Sequence, residues 1–224
     1  MAITPSKIFE VYESIDRGRR KLYTLNAVPG SSVYGEALIP SPEGEFREWN
    51  AGKSKIASYI LKGAQNTGIR KGSSVLYLGC ATGTTVSHVS DIVGPDGAIF
   101  AVDISPVVMR DMIFLAEKRK NIIPLLENAF YADKIAKRAC AVDVVFQDVA
   151  QRNQVDIFLK NVDLLLKEKG YGMLAVKARS IDVAAKPRDI FRMIRKQLEG
   201  RVTITDSREL DPFQKDHCMF MVKK

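Results

Sequence analysis

The sequence predicts an α/β protein: a parallel sheet covered by helices on both faces, closed at one edge by an antiparallel terminal hairpin, and preceded by a small all-β N-terminal domain. Three observations carry this. From residue 52 onward, strand-like and helix-like segments alternate, the pattern that gives parallel strands joined by crossover helices. The strand-like segments, among them VLYL, IFAV and DVVF, are near-continuous apolar runs, which marks a sheet buried on both faces. The first fifty residues instead hold short β-branched and aromatic runs broken by Gly, Pro and Ser. The division is drawn at 1–51 and 52–224.

Taken in order, KIFEVYES and RKLYTLN read as strands separated by the turn-like DRGR, and AVPGSSVYGEALIPSPEGEFREWN as further short strands and loops. KSKIASYILKGAQ places Ile56, Ile60 and Leu61 at helical spacing. SSVLYLG is a strand, TTVSHVSDIV a helix and AIFAVDIS a strand. SPVVMRDMIFLAEKRK is a helix with Ser105 as its cap and Pro106 at its first position. NIIPLLENA is a strand weakened by Pro124, VDVVFQDVA a strand, VDIFLKNVDLLLKEKG a long helix closed by Gly170, and YGMLAVKA a strand. KPRDIFRMIRKQLEG is a helix with Pro187 in its first turn. VTITDSREL and CMFMVKK have only a short connection and should pair antiparallel at an edge.

Composition excludes several classes. The 224 residues are 46% hydrophobic and 27% charged, enough apolar surface to offset the entropy of ordering. No apolar run approaches the ~18–20 residues that span a bilayer. The start, MAITPSKIFEVYES, lacks the basic head and apolar core of a signal peptide. Cys80, Cys140 and Cys218 have no paired spacing, which argues against a disulfide framework or a CxxC metal site. The expectation is a soluble, intracellular protein with no membrane partner.

The net charge is +8, with 34 Lys and Arg against 26 Asp and Glu. Through Lys55 there are eight basic and seven acidic residues, so the excess lies beyond it. Arg188, Arg192, Arg195 and Lys196 fall on one helix face, opposite Phe191, Ile194 and Leu198. Such a face is either a solvated surface or, with Arg179 nearby, a contact for RNA phosphates.

The sharpest local signal is VLYLGCATGTTVSHV, where a buried strand runs through Gly79, Ala81 and Gly83 into a helix beginning Thr84-Thr85. Glycines there admit a ligand close to the backbone at a strand's carboxyl end. A tight turn alone would use the same residues. The G-x-A-x-G spacing differs from the G-x-G-x-x-G of dinucleotide binders. Asp103 ends the next strand, twenty residues after Gly83, where a carboxylate can accept both hydroxyls of a ribose. Asn128 and Ala129 end the third strand, as contacts to an adenine edge or as turn residues. Asp148 ends the fourth strand and Lys177 the fifth, so both belong to the crevice at the strands' carboxyl ends. A carboxylate with an ammonium suits activation of a weakly acidic hydroxyl, the Asp steering the proton and the Lys stabilising negative oxygen. A plain ion pair is the alternative.

These residues resemble the fibrillarin family of RNA ribose 2′-O-methyltransferases. NAVPGSSVYGE, FREWNAGKSKIA, LGCATGTTVSHVSDIVGPDGAIFAVDIS, DVVFQDVAQ and KARSID carry the resemblance through nearly the whole chain. It implies a Rossmann-like class I methyltransferase sheet, S-adenosyl-L-methionine as cofactor, and transfer to a 2′-hydroxyl of rRNA or tRNA within a box C/D ribonucleoprotein. By the same resemblance, Thr84 and Thr85 contact the methionine part of the cofactor. Asp103 stands at the ribose position, where Glu is usual, with Ile104 beside the adenine. Asn128, where an acid is more usual, and Ala129 flank the base. Asp148, Val149, Ala150 and Gln151 line the donor methyl, and Lys55, Asp148, Lys177 and His217 flank the reacting ribose. Cys80 and Thr82 replace the usual Ala and Ser. The implied partners are a Nop-domain scaffold protein, a kink-turn-binding ribosomal-protein-like protein, a guide RNA and its target. The absence of a Gly/Arg-rich tail matches the compact archaeal form.

Overall fold

The computed structural model describes residues 2–224 and contains two sheets. The first is antiparallel, built from β1 (Thr4–Pro5), β2 (Tyr12–Asp16), β3 (Arg19–Leu25), β4 (Leu38–Ser41) and β5 (Gly44–Trp49), in the order β1-β2-β3-β5-β4. A single 3₁₀ turn, Ala51–Lys53, leads into α1 (Lys55–Leu61), whose cap is Ser54. Then follow β6 (Ser74–Leu78), α2 (Thr84–Val93), β7 (Ala98–Asp103), α3 (Pro106–Lys118), β8 (Ile122–Leu126), α4 (Ala132–Ala136) and β9 (Val142–Gln147). The chain continues through α5 (Gln154–Leu165), β10 (Leu166–Lys177), α6 (Ala178–Ile181), α7 (Pro187–Glu199), β11 (Thr203–Glu209) and β12 (His217–Lys223).

The second sheet has the order β11-β12-β10-β9-β6-β7-β8. Strands β10, β9, β6, β7 and β8 run parallel, while β12 pairs antiparallel with both β10 and β11. The expected edge hairpin is therefore present, with its second strand laid against Lys177. Side chains alternate between faces as the pleat requires. Val75, Tyr77, Val144 and Phe146 join one apolar cluster, whereas Leu76, Leu78 and Val145 join the other. The first cluster also takes in α1–α3 and Ile8, Val11, Leu22 and Trp49 of the N-terminal region, so one apolar layer is continuous across both sheets. The second receives Phe158 and Val162 of α5 with Phe191, Ile194 and Leu198 of α7, the stripe read from the sequence, and Ile190 beside them. Ser105 caps α3 as expected, accepting from Val108 N at 3.4 Å. No helix among the described residues is long and apolar enough to cross a membrane.

Four local expectations are corrected. Lys7–Val11 is loop rather than strand, because Glu10 turns the chain with φ +54°. The long helix stops at Leu165 instead of Gly170, and Leu166–Gly170 is the start of β10. The helix end is sealed from afar: Lys224 Nζ bonds the carbonyls of Val162, Asp163 and Leu166 at 3.3, 3.0 and 2.8 Å. KEK has good helix propensity, but it falls in a bulge between the β9 pairings of Leu166 and Tyr171, and those flanking pairings override it. Ala178, read as strand, opens α6. The single-turn α4 is too short to show periodicity and went unread.

Candidate active site

The carboxyl ends of β6, β7, β8 and β9 meet around a cavity of about 190 Å³. Its shape depends on Gly79, at φ +81°, where a Cβ would stand 2.5 Å from the Asp148 carbonyl oxygen. Only glycine allows the ends of β6 and β9 to approach this closely. Asp148 N in turn donates to Leu78 O at 2.9 Å. Gly83, at φ +90°, starts α2 against the Leu115 side chain, where a Cβ would collide. Asp103 ties the rim together: Oδ2 accepts from Ala81 N at 3.2 Å and Oδ1 from Ser105 N at 3.0 Å.

The cavity is lined by Gly79, Asp103, Ile104, Asn128, Ala129, Asp148, Val149, Ala150 and Gln151, all singled out in the sequence, and by Val102 and Glu127, which were not. Glu127 was legible as the acid beside Asn128 at the end of β8. Ala81, Gly83, Thr84 and Thr85 lie outside this lining. Thr84 occupies the first turn of α2, whose free N–H groups favour a carboxylate. The Thr85 hydroxyl is buried and donates to Ser54 Oγ at 3.0 Å. Asn128 behaves as a turn residue through Oδ1, which accepts from Phe130 N at 2.9 Å.

Four elements bring the remaining group together. Lys55, the first residue of α1, forms an ion pair with Asp148 at 2.8 Å, and each side chain is about one quarter exposed. Lys177, at the end of β10, is exposed and faces His217 across the β10–β12 pair. His217 Nδ1 donates to Lys215 O at 2.7 Å, since a carbonyl can only accept. Burial pushes the His217 pKa below its ordinary value, and the nearby Lys55 and Lys177 charges add to this against the opposing pull of Lys215 O and Asp148. All three charged groups thus lie within electrostatic reach of the imidazole. Gln214 fixes the loop before His217 to the turn before Lys55, donating to Ala51 O at 3.0 Å and Gly52 O at 2.7 Å. That tie was not legible, because it joins residues 163 positions apart.

The basic helix face is real but partly neutralised. Arg188 lies 3.4 Å from Glu209, Arg192 3.2 Å from Asp189 and Arg195 3.7 Å from Glu199. Lys196 is exposed. Arg192 and Arg195 border a groove of about 640 Å³ shared with Lys62 and Arg208. Arg179 is engaged by Asp216 at 3.2 Å and by the Val183 carbonyl.

The site's residues can be set beside known proteins. The family model described as Fibrillarin matches residues 3–224. A curated relative from Thermococcus onnurineus, named fibrillarin-like rRNA/tRNA 2′-O-methyltransferase, is 44% identical over 225 residues and covers all of both chains. Aeropyrum pernix fibrillarin, solved with natively bound S-adenosyl-L-methionine, superposes with TM-score 0.91 at 39% identity, covering 99% of this chain and 98% of that one. The chain of a fibrillarin/Nop5p complex superposes with TM-score 0.85 at 39% identity, covering 96% of this chain and 97% of that one. Sequence and overall fold agree over nearly the whole chain, and the chain belongs to the fibrillarin family.

Proposed function

We propose that the protein transfers the methyl group of S-adenosyl-L-methionine to the ribose 2′-hydroxyl of rRNA or tRNA nucleotides chosen by a guide RNA. The observation that carries this reading is the Lys55–Asp148 pair, 2.8 Å apart on the rim of the cavity. The cavity fits the adenosyl half of the cofactor. Asp103 offers the ribose a carboxylate already oriented by two backbone N–H groups, each oxygen keeping a lone pair free. Ile104, 59% exposed, offers an apolar face to the base, and Glu127 and Asn128 supply polar atoms at the far end. When bound, the cofactor supplies a sulfonium methyl with a good leaving group.

The difficult part is the acceptor, a hydroxyl that stays protonated near neutral pH. Asp148, held by Lys55, accepts that proton or its hydrogen bond. Lys177, exposed on the same rim, stabilises the negative charge that develops on oxygen. With Nδ1–H fixed to Lys215 O, His217 keeps Nε2 as an acceptor that orients the ribose. The proton passes from oxygen to Asp148 and then to solvent. Holding both reactants on one rim removes an entropic barrier that reaches roughly 7–11 kcal/mol in ideal cases.

The partners are a Nop-domain scaffold, a kink-turn-binding ribosomal-protein-like protein and a box C/D guide RNA, in a cytoplasmic particle. Residues 1–51 act as a near-neutral docking region and residues 52–224 as the catalytic one. The carboxylates beside Arg188, Arg192 and Arg195 favour this guided arrangement over a stand-alone enzyme, since they weaken the pull of the basic face on phosphates. The test is labelled-methyl transfer to a guide-paired RNA, with and without partner proteins. Label at a guide-specified 2′-oxygen, dependent on the partners, is expected. Label on a base overturns the reading, and full activity of the chain alone favours the stand-alone form.

A further inference from the structure

We propose that Thr85 is a positioning residue that acts through Ser54 on Lys55, joining the helix that follows the glycine loop to the amine that faces the acceptor; this rests on the reading of Lys55 and Asp148 given above. Thr85 is the second residue of α2, and at that position its hydroxyl does not cap its own helix. It crosses instead to Ser54 Oγ, 31 positions earlier in the chain and 3.0 Å away. Ser54 is fully buried and already committed as the cap of α1, accepting from Ala57 N at 3.3 Å. One oxygen thus anchors two helix starts.

The next residue is Lys55. Its ammonium reaches Asp148 at 2.8 Å, Asp148 N bonds Leu78 O at 2.9 Å, and Leu78 leads through Gly79 and Gly83 back to Thr85. The contacts close a ring: Thr85, Ser54, Lys55, Asp148, Leu78, glycine loop. Inside it lies Tyr77, whose hydroxyl sits beside that of Thr85 and within reach of the Asp148 charge. Helix α1 has only seven residues, too few to hold its place without its cap and packing. A small tilt of its first turn is magnified at the end of the long lysine side chain. Misplacement of a reacting group by about 1 Å can cost on the order of 100-fold in rate.

The test is a set of variants in the reconstituted particle, with cofactor affinity measured by calorimetry on the isolated chain. Thr85→Val keeps the shape and removes the hydroxyl. It should lower kcat roughly 10- to 100-fold, the range set by such misplacement, with cofactor Kd changed less than about twofold. Thr85→Ser should restore kcat to within about threefold. On a Lys55→Ala background, Thr85→Val should cost nothing further, since residues acting through one another are not additive. Far-UV circular dichroism and a thermal melt establish that each variant is folded; if Thr85→Val is not, the Thr85→Ser arm and a Ser54→Ala variant decide in the same two-variant design. Normal kcat in the hydroxyl-less variants with a defective Lys55→Ala overturns the positioning role. So does a lost cofactor affinity, which would make Thr85 a cofactor contact, or full additivity with Lys55→Ala. Normal activity of Lys55→Ala sinks the catalytic reading itself.

Discussion

Two clusters in this molecule are built from the same chemistry, cations, carboxylates and one histidine, and they differ in how far that chemistry is buried and paired. The first joins the N-terminal sheet to α2 and α3. Arg47 bridges Glu36 at 2.5 Å and Asp91 at 2.8 Å, and Arg119 meets Asp91 at 2.6 Å, all with side chains at most 2% exposed. His88 lies among them, stacked on Trp49 with ring centroids 4.9 Å apart and bonded to Thr24 and Tyr34, each at 2.8 Å. Thr24 gives its own proton to Asp91 at 2.7 Å, so His88 Nδ1 is the donor to Thr24, and Nε2 of the neutral ring accepts from the Tyr34 hydroxyl, which lies equally close to Glu48 O. The second cluster is the rim of Lys55, Asp148, Lys177 and His217, where Lys55 and Asp148 stay about one quarter exposed and Lys177 is open to solvent. The contrast teaches that pairing and burial, more than composition, separate a brace from the reacting centre proposed above. The brace has its charged groups paired inside the fold, whereas the rim leaves Lys177 open to solvent.

The largest effect that would break this contrast is on stability. Arg47→Ala leaves Glu36 buried with no cation and removes one of two cations from Asp91. Breaking a buried pair by deleting one partner costs about 3–5 kcal/mol. Urea unfolding of the isolated chain should show that loss in the midpoint, while cofactor affinity of the folded fraction is kept. A change below about 1 kcal/mol, the range of an exposed pair, would place this network with surface ion pairs and erase the distinction.

The second effect belongs to the rim and inverts the first. Asp148→Ala and Lys177→Ala should each reduce methyl transfer by at least about 10²- to 10⁴-fold, the range for a positioned proton-transfer group. Stability should move by less than about 1 kcal/mol, as for part-exposed pairs. The cofactor should still bind, because Asp103 and the loop after Gly79 are untouched. Single-turnover assays beside a binding titration check both halves. Near-normal transfer in both variants would remove the proposed mechanism.

How much of this could be read from the chain depends on whether the signal is local. The sheet was legible because its parallel strands carry their own apolar runs, and the cavity residues because each stands at a strand's carboxyl end, where the topology itself gathers them. Gly79 and Gly83 were marked by residue type, and the structure supplies their cause: positive φ at both, with the Asp148 backbone against Gly79 and the Leu115 side chain against Gly83. The brace was invisible for the opposite reason. Arg47, Asp91 and Arg119 lie in three elements and carry no shared spacing, and a buried arginine reads as a surface one. The end of α5 was misread likewise, since the side chain that seals it belongs to Lys224. The Thr85–Ser54 bond was out of sight for the same reason, since it joins residues 31 positions apart.

The smallest effect sharpens the comparison through pH. Burial, with the Arg47 and Arg119 charges behind it, holds the His88 pKa well below its ordinary value, so the native state keeps this ring neutral. The unfolded chain takes up a proton near pH 6.5. Below that pH the unfolded state binds more protons than the native state, so stability falls as pH falls and is fully present above about pH 7.5. One such group removes roughly 1.5 kcal/mol between pH 6.5 and 5. Glu36 and Asp143 do not confuse this window. Their native pKa values are lowered, Glu36 by surrounding N–H groups and Arg47 against its burial, and Asp143 by Lys167 and Ser74 against its own. Their contributions are therefore lost only as pH falls below the ordinary carboxylate range. His217 is pushed the same way as His88 but is only partly buried, so its slope is shallower. Urea unfolding at pH 6.5 and pH 5 should show the wild-type loss, and His88→Gln, which bears no titratable ring, should show a loss smaller by about the same 1.5 kcal/mol. Equal losses in the two proteins would mean that His88 exchanges protons in the native state as freely as a histidine on the rim.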